Sequence, residues 1–403
     1  MRLRANPVVL AGVIGVGMPV LAAGVIAGLT MDDGDSGPDS ASGASAAPDA
    51  AVTPRPIPAA PTATPAATRA ADPDPVGFQP DSINFVSADE GWVLGRSYPC
   101  PAQLCQSLRH TTDGGRTWRE TPLPAPLRDA GHHGGWVKFA DARNGWIGTR
   151  DTLFATHDGG STWREIDVDI KTAEPAWSLT VSEDTVWVAS ARADERTALF
   201  TSPITRDAWT GPVEVAVPGA GGPYPVPEVS ATGSRAWMVV TGRGRSGARM
   251  VDGTWTPWQL PCGGNGPADW HAVSEKRLVA LCGLPASGDG GTTRVVTSVD
   301  GGVTFTETGQ LSPSRPAKAV LLAADGNHLV AAVDERLLTS TDGGETWTTT
   351  YTAPDRGWQP LSGEFVTETT GFVVLGHPGS GPVPTMMLAT RDGGQSWTPV
   401  GFG

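Results

Sequence analysis

From residue 78 onward, short apolar segments alternate with polar turns, and the alternation repeats along the chain. In each copy two apolar strands flank a polar turn, as in INFVSADEGWVLG from Ile83 and VKFADARNGWIGT from Val137. β-Branched and aromatic residues bounded by Asp, Asn, Gly or Ser are typical of β-hairpins. Further copies begin near Leu179, Glu228, Trp270, Val320 and Glu364. The pattern therefore predicts seven copies of one all-β unit.

A second marker, the turn Ser/Thr-x-Asp-Gly-Gly-x-Ser/Thr-Trp, repeats with the same spacing. Weaker forms of it, Thr201–Trp209 and Met250–Trp255, fill the gap between the second and third full copies. The closing aromatic residues are 42 to 50 positions apart, a period typical of propellers and solenoids. With two strands before the turn and one on each side of it, the expectation is a seven-bladed β-propeller of four-stranded antiparallel blades over residues 78–403. The full copies are Thr111–Trp118, Thr156–Trp163, Ser298–Phe305, Ser340–Trp347 and Thr390–Trp397.

We interpret the Asp-Gly-Gly turns as structural. The Asp carboxylate can accept backbone N–H groups within the turn, and Gly supplies the positive φ that a tight turn needs. The closing aromatic residue then packs into the sheet. Calcium is the alternative ligand for such acids, but single carboxylates one blade apart cannot share an ion, so we predict no metal and no cofactor. The structural pairs are Asp113 and Trp118, Asp158 and Trp163, Asp300 and Phe305, Asp342 and Trp347, and Asp392 and Trp397.

These turns resemble the Asp boxes, or BNR repeats, of sialidases, sortilin-type receptors and the photosystem II assembly and stability factor family. The pairs Gly91-Trp92, Gly145-Trp146 and Gly371-Phe372, each followed by an Asp box, most resemble the last family. The resemblance covers essentially all of residues 78–403. It implies a propeller and, for function, a scaffold that helps to assemble or stabilise a membrane protein complex. Because one fold hosts unrelated activities, the resemblance indicates architecture more strongly than function.

Sialidase activity finds little support. The family resemblance implies an Arg-Ile-Pro motif before the first box, which this sequence lacks, and six blades rather than seven. Sialidases use a Tyr nucleophile, but the three tyrosines, Tyr98, Tyr224 and Tyr351, have no clear acidic partner at blade spacing. A two-carboxylate glycosidase remains the runner-up. Loop acids for such a pair exist, and no catalytic residue is assigned; these acids are Asp129, Glu174, Asp269 and Asp355.

The N-terminal segment, residues 1–30, carries a membrane signal. Arg2 and Arg4 precede an uncharged run of 23 residues from Pro7 to Leu29, which is long enough to span a bilayer. The basic flank before the run and the acidic residues after it place the N-terminus inside and the remainder outside. The alternatives are an uncleaved signal anchor, which the length favours, and a cleaved signal peptide. Residues 31–77, rich in Ala and Pro, predict a disordered linker.

The net charge limits the classes of partner, and the cysteine content indicates the compartment. The formal net charge is −13, which argues against nucleic acid, because phosphate binding needs a basic surface. The four cysteines fit an exported chain with two local disulfides, Cys100–Cys105 and Cys262–Cys282. A CxxxxC metal site at Cys100 and Cys105 is the alternative.

Four tryptophans lie where the last strand of one unit connects to the first strand of the next. In a propeller those connections line the face near the central channel, where aromatic residues and Arg are common anchors for protein or sugar recognition. We therefore expect a non-catalytic, membrane-tethered scaffold that binds protein or glycan at this face, with its oligomeric state left open. The alternative is a structural role, in which the indoles seal the channel. The candidate residues are Trp136, Trp177, Tyr224, Trp270, Arg315, Lys318, Arg356 and Trp358.

Overall fold

Seven four-stranded antiparallel sheets follow one another along the chain. The computed structural model describes residues 77–98, 105–129, 135–149, 151–170, 177–192, 196–219, 225–241, 245–263, 269–283, 291–314, 319–377 and 384–402. Each sheet is contiguous in sequence, so that its strands are neighbours in chain order. The predicted seven-bladed all-β propeller is confirmed. The predicted anchor of residues 1–30 lies outside the described residues, and so does the predicted linker of residues 31–77 except for Gly77, which begins the first strand. Within the described residues no helix has the length and apolar character to cross a membrane.

The 28 strands are labelled β1 to β28, four to a blade. Blade 1 contains β1 (Gly77–Phe85), β2 (Gly91–Tyr98), β3 (Gln106–Thr111) and β4 (Arg119–Thr121), followed by the short helix α1 (Ala125–Asp129). Blade 2 contains β5 (Trp136–Phe139), β6 (Gly145–Gly148), β7 (Leu153–Thr156) and β8 (Arg164–Ile166). Blade 3 contains β9 (Trp177–Ser182), β10 (Thr185–Ala191), β11 (Arg196–Pro203) and β12 (Thr210–Ala216). Blade 4 contains β13 (Val226–Thr232), β14 (Arg235–Thr241), β15 (Arg245–Val251) and β16 (Thr254–Trp258).

The remaining three blades follow the same order. Blade 5 contains β17 (Asp269–Ala272), β18 (Leu278–Gly283), β19 (Gly291–Ser298) and β20 (Thr306–Ser314). Blade 6 contains β21 (Ala319–Ala323), β22 (Leu329–Val333), β23 (Arg336–Ser340) and β24 (Thr348–Thr352). Blade 7 contains β25 (Gln359–Phe365), β26 (Gly371–Gly376), β27 (Thr385–Thr390) and β28 (Thr398–Pro399).

The hydrophobic core is divided among the junctions between blades. Each of the seven junctions in the described part of the chain holds its own cluster of buried side chains. At the junction of blades 7 and 1, Phe85 stacks on Phe372 with ring centroids 3.6 Å apart. At the next junction Trp92 stacks on Phe139 at 3.7 Å. Because blade 7 packs on blade 1 as blade 1 packs on blade 2, the sheets close into a ring.

Side-chain packing explains the glycine of the Gly-Trp pairs. Gly91 pairs with Phe85 across β1 and β2, and a Cβ on Gly91 would lie 2.4 Å from the Phe85 ring. Gly145 stands in the same relation to Phe139, also at 2.4 Å. Glycine is therefore required for the phenylalanine to fold over the second strand.

The start of the first strand belongs to blade 1 and not to blade 7. Gly77 to Pro80 pair with Tyr98 to Gly95 inside blade 1. The contact with blade 7 is made by a side chain instead: Gln79 Oε1 accepts a hydrogen bond of 2.7 Å from the backbone N–H of Thr385. The last blade has its own fourth strand, β28, so all four of its strands come from the end of the chain.

Candidate functional site

The five full Asp boxes share one hydrogen-bond pattern. In the first box Asp113 Oδ1 accepts from the backbone N–H of Thr117 at 2.9 Å, and Asp113 Oδ2 accepts from the Thr117 hydroxyl at 2.6 Å. The hydroxyl of Thr111 accepts the N–H of Gly115 at 3.0 Å. These bonds lower the pKa of Asp113 to about 2, chiefly through the two donors of Thr117. Both carboxylate oxygens thus accept hydrogen bonds from within the turn, as expected for a structural residue.

Blades 3 and 4 close their turns differently. In blade 4, Asp252 and Gly253 both have positive φ, at 51° and 74°, and they form the two-residue loop between β15 and β16. Such loops favour Asp-Gly because both central residues need positive φ. In blade 3, Asp207 forms an ion pair with Arg164 of blade 2, and one of its carboxylate oxygens lies 3.3 Å from Nε2 of His157, also of blade 2. These two turns contain the weaker copies of the repeat.

The first strand of each blade lies at one edge of its sheet, and among the described strands none pairs with it there. Side chains of one blade satisfy the N–H groups of the next at this edge. Asn84 Oδ1 accepts from the backbone N–H of Phe139 at 2.6 Å, and Ser82 Oγ accepts from that of Val137 at 3.1 Å. Glu364 Oε1 accepts from the N–H of Phe85. Polar residues on the inner strands therefore hold adjacent blades together, since buried N–H groups need partners.

We call the equivalent positions on the seven inner strands the inner ring. Each member pairs with the residue near the start of the second strand of its own blade. Within the ring, Lys138 Nζ lies 3.8 Å from Glu364 Oε2, and both side chains are buried. Burial raises the pKa of Glu364, and the Lys138 ammonium opposes that rise. The inner ring consists of Asn84, Lys138, Thr180, Ser230, His271, Leu322 and Glu364.

A cavity opens beside this ring where blades 2, 3 and 4 meet. The indoles of Trp136 and Trp177 form one wall, in an edge-to-face arrangement with ring centroids 4.9 Å apart. Gly148 makes room for them, because a Cβ there would lie 2.2 Å from Trp136 and 2.6 Å from Trp177. The lining residues are Trp136, Lys138, Trp177, Ser178, Leu179, Val226, Pro227 and Glu228.

Two carboxylates of neighbouring inner strands interact next to the cavity. Burial, and then the negative charge of Asp269, raise the pKa of Glu228 to about 7, while Arg245 opposes the rise. Burial raises the pKa of Asp269 to about 6. Asp269 is engaged by the backbone on both oxygens: Oδ1 accepts from the N–H of Trp270 at 2.8 Å and Oδ2 from the N–H of Leu321 at 2.7 Å. Asp269 therefore links blade 5 to blade 6, and Glu228 is the carboxylate that lines the cavity.

The structure places the residues singled out from the sequence in different settings. Trp136 and Trp177 line the cavity and are each 8% exposed, and Trp270 is 2% exposed and packs on Trp258. Trp358 is half-buried and donates its indole N–H to Asp355 at 2.6 Å. Arg356 is exposed. Tyr224, Arg315 and Lys318 lie outside the described residues.

Sequence reasoning missed Lys138, Glu228 and Glu364, because it followed aromatic residues in the connections rather than polar positions inside the strands. For two of them the signal was present in the repeat: Lys138 and Glu364 each pair with the aromatic residue near the start of the second strand of their blade, Trp146 and Phe372. A disulfide joins Cys262 to Cys282, with Cα atoms 5.2 Å apart. Cys105 is also disulfide-bonded, and its predicted partner Cys100 lies outside the described residues. Among the described residues, no group of three or more His, Cys, Asp or Glu side chains is placed to hold a metal ion.

Several solved structures share this fold at low sequence identity. YCF48 bound to a D1 peptide is 20% identical over 79% of this chain and 94% of its own, with a TM-score of 0.54. YCF48 from Cyanidioschyzon merolae is 18% identical over 79% of this chain and 97% of its own, also with a TM-score of 0.54. A PL25 ulvan lyase bound to -[GlcA(1-4)Rha3S]- is 10% identical over 80% of this chain and 95% of its own, with a TM-score of 0.50. No protein-family model matches the chain, and no curated protein sequence matches it. The chain is thus similar in fold to YCF48, and at these identities the similarity extends to the propeller alone.

Proposed function

We propose that the chain is a non-catalytic propeller that binds a segment of a protein partner at the cavity of blades 2, 3 and 4. The observation that carries the proposal is the cavity itself, which combines two indoles with the carboxylate of Glu228. Aromatic walls with a few polar groups are typical of recognition sites. The similarity in fold to YCF48, whose structure was solved with a D1 peptide bound, supports a protein rather than a small molecule as the partner.

The second part of the proposal concerns location. Residues 1–30 would hold the chain at a membrane with the propeller outside, and residues 31–77 would act as the tether. The disulfide between Cys262 and Cys282 supports export, because such bonds persist in oxidising compartments. Protease protection of the full chain in intact cells tests this arrangement. Digestion of the propeller from outside supports it, and full protection contradicts it.

A carbohydrate-active propeller is the second candidate, and Glu228 with Asp269 is the observation in its favour. Glycosidases need one carboxylic acid as proton donor and a second carboxylate as base or nucleophile. A Glu228 pKa of about 7 suits a proton donor. Asp269 is a poor second member, since both of its oxygens accept backbone N–H groups. We therefore rank this function below protein binding.

Affinity capture with a variant that covers the cavity separates the two functions. Val226 lines the cavity and is half-buried, so the larger side chain of Val226→Trp should cover it. Val213→Trp is the matched control, because Val213 is 55% exposed on β12 of the outer edge of blade 3. The proposal expects a membrane protein that is captured by the wild type and by Val213→Trp but not by Val226→Trp, at equal melting temperatures. A glycan array and a panel of chromogenic glycosides are run beside it. Hydrolysis that disappears in Glu228→Gln, without selective capture of a protein, would overturn the proposal in favour of the enzyme.

A further inference from the structure

An open cleft lies where the Asp box of blade 7 meets that of blade 1. Its volume is about 560 Å³, and its walls come from the two box turns and from the chain around β28. None of the described residues that line it is acidic, and none of them lines the cavity of blades 2, 3 and 4. We call it the arginine cleft, after the two cations among its lining residues, which include Gly114, Arg116, Arg391, Thr398, Val400 and Gly401.

The side chain of Arg391 is held across the junction of the two blades. Its Nη2 donates to the carbonyl of Gly114 in blade 1 at 2.7 Å, and its Nη1 donates to the carbonyl of Thr390 at 3.3 Å. Its guanidinium carbon lies 4.9 Å from the centroid of the Phe372 ring. Glycine at position 114 permits this approach, because a Cβ there would lie 2.7 Å from Arg391 Nη2. The guanidinium is therefore ordered before a ligand arrives, which reduces the entropy lost on binding.

Arg116 reaches the same cleft from the turn of blade 1. Its Nη1 donates to the carbonyl of Asp113 at 3.0 Å, and no ion pair engages Arg116 or Arg391 in the part of the chain that the structure describes. The neighbouring carboxylates of Asp113 and Asp392 accept hydrogen bonds within their own turns. Because a guanidinium has five N–H donors, most donors of both arginines are left for a ligand.

The charges at the cleft favour an anionic ligand. Burial, and then the positive charge of Arg116, lower the pKa of Arg391, and Asp89 opposes this effect. The two guanidinium groups thus repel each other. An anion in the cleft would offset the repulsion, because an opposite charge within a few ångströms favours the charged form of a group.

The Asp-box turn itself does not require these arginines. The hydrogen bonds of the turn use the Asp, the glycines and the two hydroxyl residues, so its second and sixth positions are free to vary. Arginine stands at the second position only in blade 7 and at the sixth only in blade 1, so that the two cations meet at one junction. The other full boxes and positions have Thr112, His157, Val299 and Thr341 at the second place and Ser161, Val303, Glu345 and Gln395 at the sixth.

We propose that the arginine cleft binds the phosphate group of an organic phosphate ester, with Arg116 and Arg391 as its ligands. Guanidinium groups bind phosphate through pairs of N–H donors. A phosphate ester offers three terminal oxygens and can accept from two arginines at once, whereas one arginine already fills the two oxygens of a carboxylate. One water molecule occupies about 30 Å³ in the liquid, so the cleft has room for the organic part as well.

This site is independent of protein binding at the cavity of blades 2, 3 and 4. Phosphorus-31 NMR of glycerol 3-phosphate with the whole chain tests it, at pH 8, where such an ester carries close to two negative charges. The signal should broaden in a saturable way. Glycerate, in which a carboxylate replaces the phosphate, should displace the ester at least tenfold less well, and glycerol should not displace it. Absence of saturable broadening, or equal displacement by glycerate, would overturn the inference.

Arginine variants locate the site, and Arg116→Gln is the decisive one because the Arg116 side chain makes no bond between blades. It should weaken the binding of glycerol 3-phosphate at least tenfold at an unchanged melting temperature, and Arg391→Gln should weaken it as much. Arg119→Gln is the matched control, since Arg119 is exposed on β4 of the same blade and does not line the cleft. Unchanged affinity in Arg116→Gln, or an equal loss in Arg119→Gln, contradicts the assignment.

A lipid analogue distinguishes the two sources of such a phosphate. Dihexanoylphosphatidic acid, used below its critical micelle concentration, has the same phosphate monoester on a lipid headgroup. Displacement of glycerol 3-phosphate by the analogue at lower concentration than by the unlabelled ester itself identifies a lipid headgroup as the ligand. Displacement only at higher concentration identifies a soluble ester. Either result, if it is lost in Arg116→Gln, supports the arginine cleft, and displacement that persists in this variant overturns it.

Discussion

Phe402 packs against Phe78, with ring centroids 4.8 Å apart, and so links the chain that follows the last strand to the first strand of the ring. Trp118 of the first Asp box lies 5.2 Å from the same Phe402 ring. Arg109 donates to the Phe402 carbonyl, and its guanidinium lies 4.3 Å from the Phe78 ring. Side chains of the tail thus add to the Phe85–Phe372 stack at the seam between blades 7 and 1, and among the described strands none is shared between these two blades.

Removing the Phe402 ring should weaken the junction of blades 7 and 1 more than it weakens any other junction. For Phe402→Ala we expect a loss of about 1–3 kcal/mol in the free energy of unfolding, below the usual 3–5 kcal/mol for a fully buried Phe because Phe402 is half-buried. Urea denaturation measures the loss, and hydrogen exchange should quicken first in β1 and β27. Val213→Ala, at an exposed position, serves as the control. A loss no larger than in the control would show that the tail does not hold the ring closed.

The sequence predicts the local features of each blade but not the contacts between blades. Blade number and strand order follow from local features, since Gly91 must face Phe85 and Asp113 must close its own turn. The contacts of the inner ring join positions far apart in the chain, such as Asn84 and Glu364 at a separation of 280. A pairing of this kind depends on how many blades fit in the ring, so no local pattern contains it. The counter-charges of Glu228 could not be inferred for the same reason.

The carboxylate of an Asp box should stabilise the fold only while it is ionised. Asp342 accepts from the backbone N–H of Thr346 at 2.9 Å, and the donors of Thr346 lower its pKa to about 2. A lowered pKa gives stability that is present above the ordinary value of 3.8 and is lost as the pH falls towards 2. Asp342→Asn should therefore cost about 1 kcal/mol at pH 7, a figure reduced by solvent exposure, and the deficit should shrink between pH 4 and pH 2.

Asp252→Asn is the matched control for that experiment. Asp252 occupies the two-residue loop of blade 4, where asparagine tolerates positive φ as well as aspartate does. Its replacement should change the melting temperature little at pH 7. An equal loss in both variants would mean that the box carboxylate has no special role in its turn.

Glu228 should act on stability in the opposite direction. Its pKa is raised from 4.5 to about 7 in the folded chain, so its penalty is absent below pH 4.5, grows as the pH rises, and is complete above about pH 7. Glu228→Gln should therefore raise the free energy of unfolding at pH 8, by about 1–2 kcal/mol after allowance for solvent in the channel. At pH 4 the variant and the wild type should be alike. A stability gain that is the same at both pH values would show that ionisation of Glu228 is not its cause.

The bond between Cys262 and Cys282 should stabilise blade 5 against unfolding. It closes a loop with a sequence separation of 20, and cross-links of this length contribute roughly 3 kcal/mol by restricting the unfolded chain. The Cys262→Ala, Cys282→Ala double variant should lose about 2–4 kcal/mol, measured by urea denaturation without reductant. Dithiothreitol should narrow the difference between variant and wild type, because it opens the bond only in the latter. Any effect of dithiothreitol on the double variant itself then reports the separate disulfide at Cys105. A difference that persists unchanged in reductant would assign the loss to side-chain packing around the buried Cys282 instead of to the cross-link.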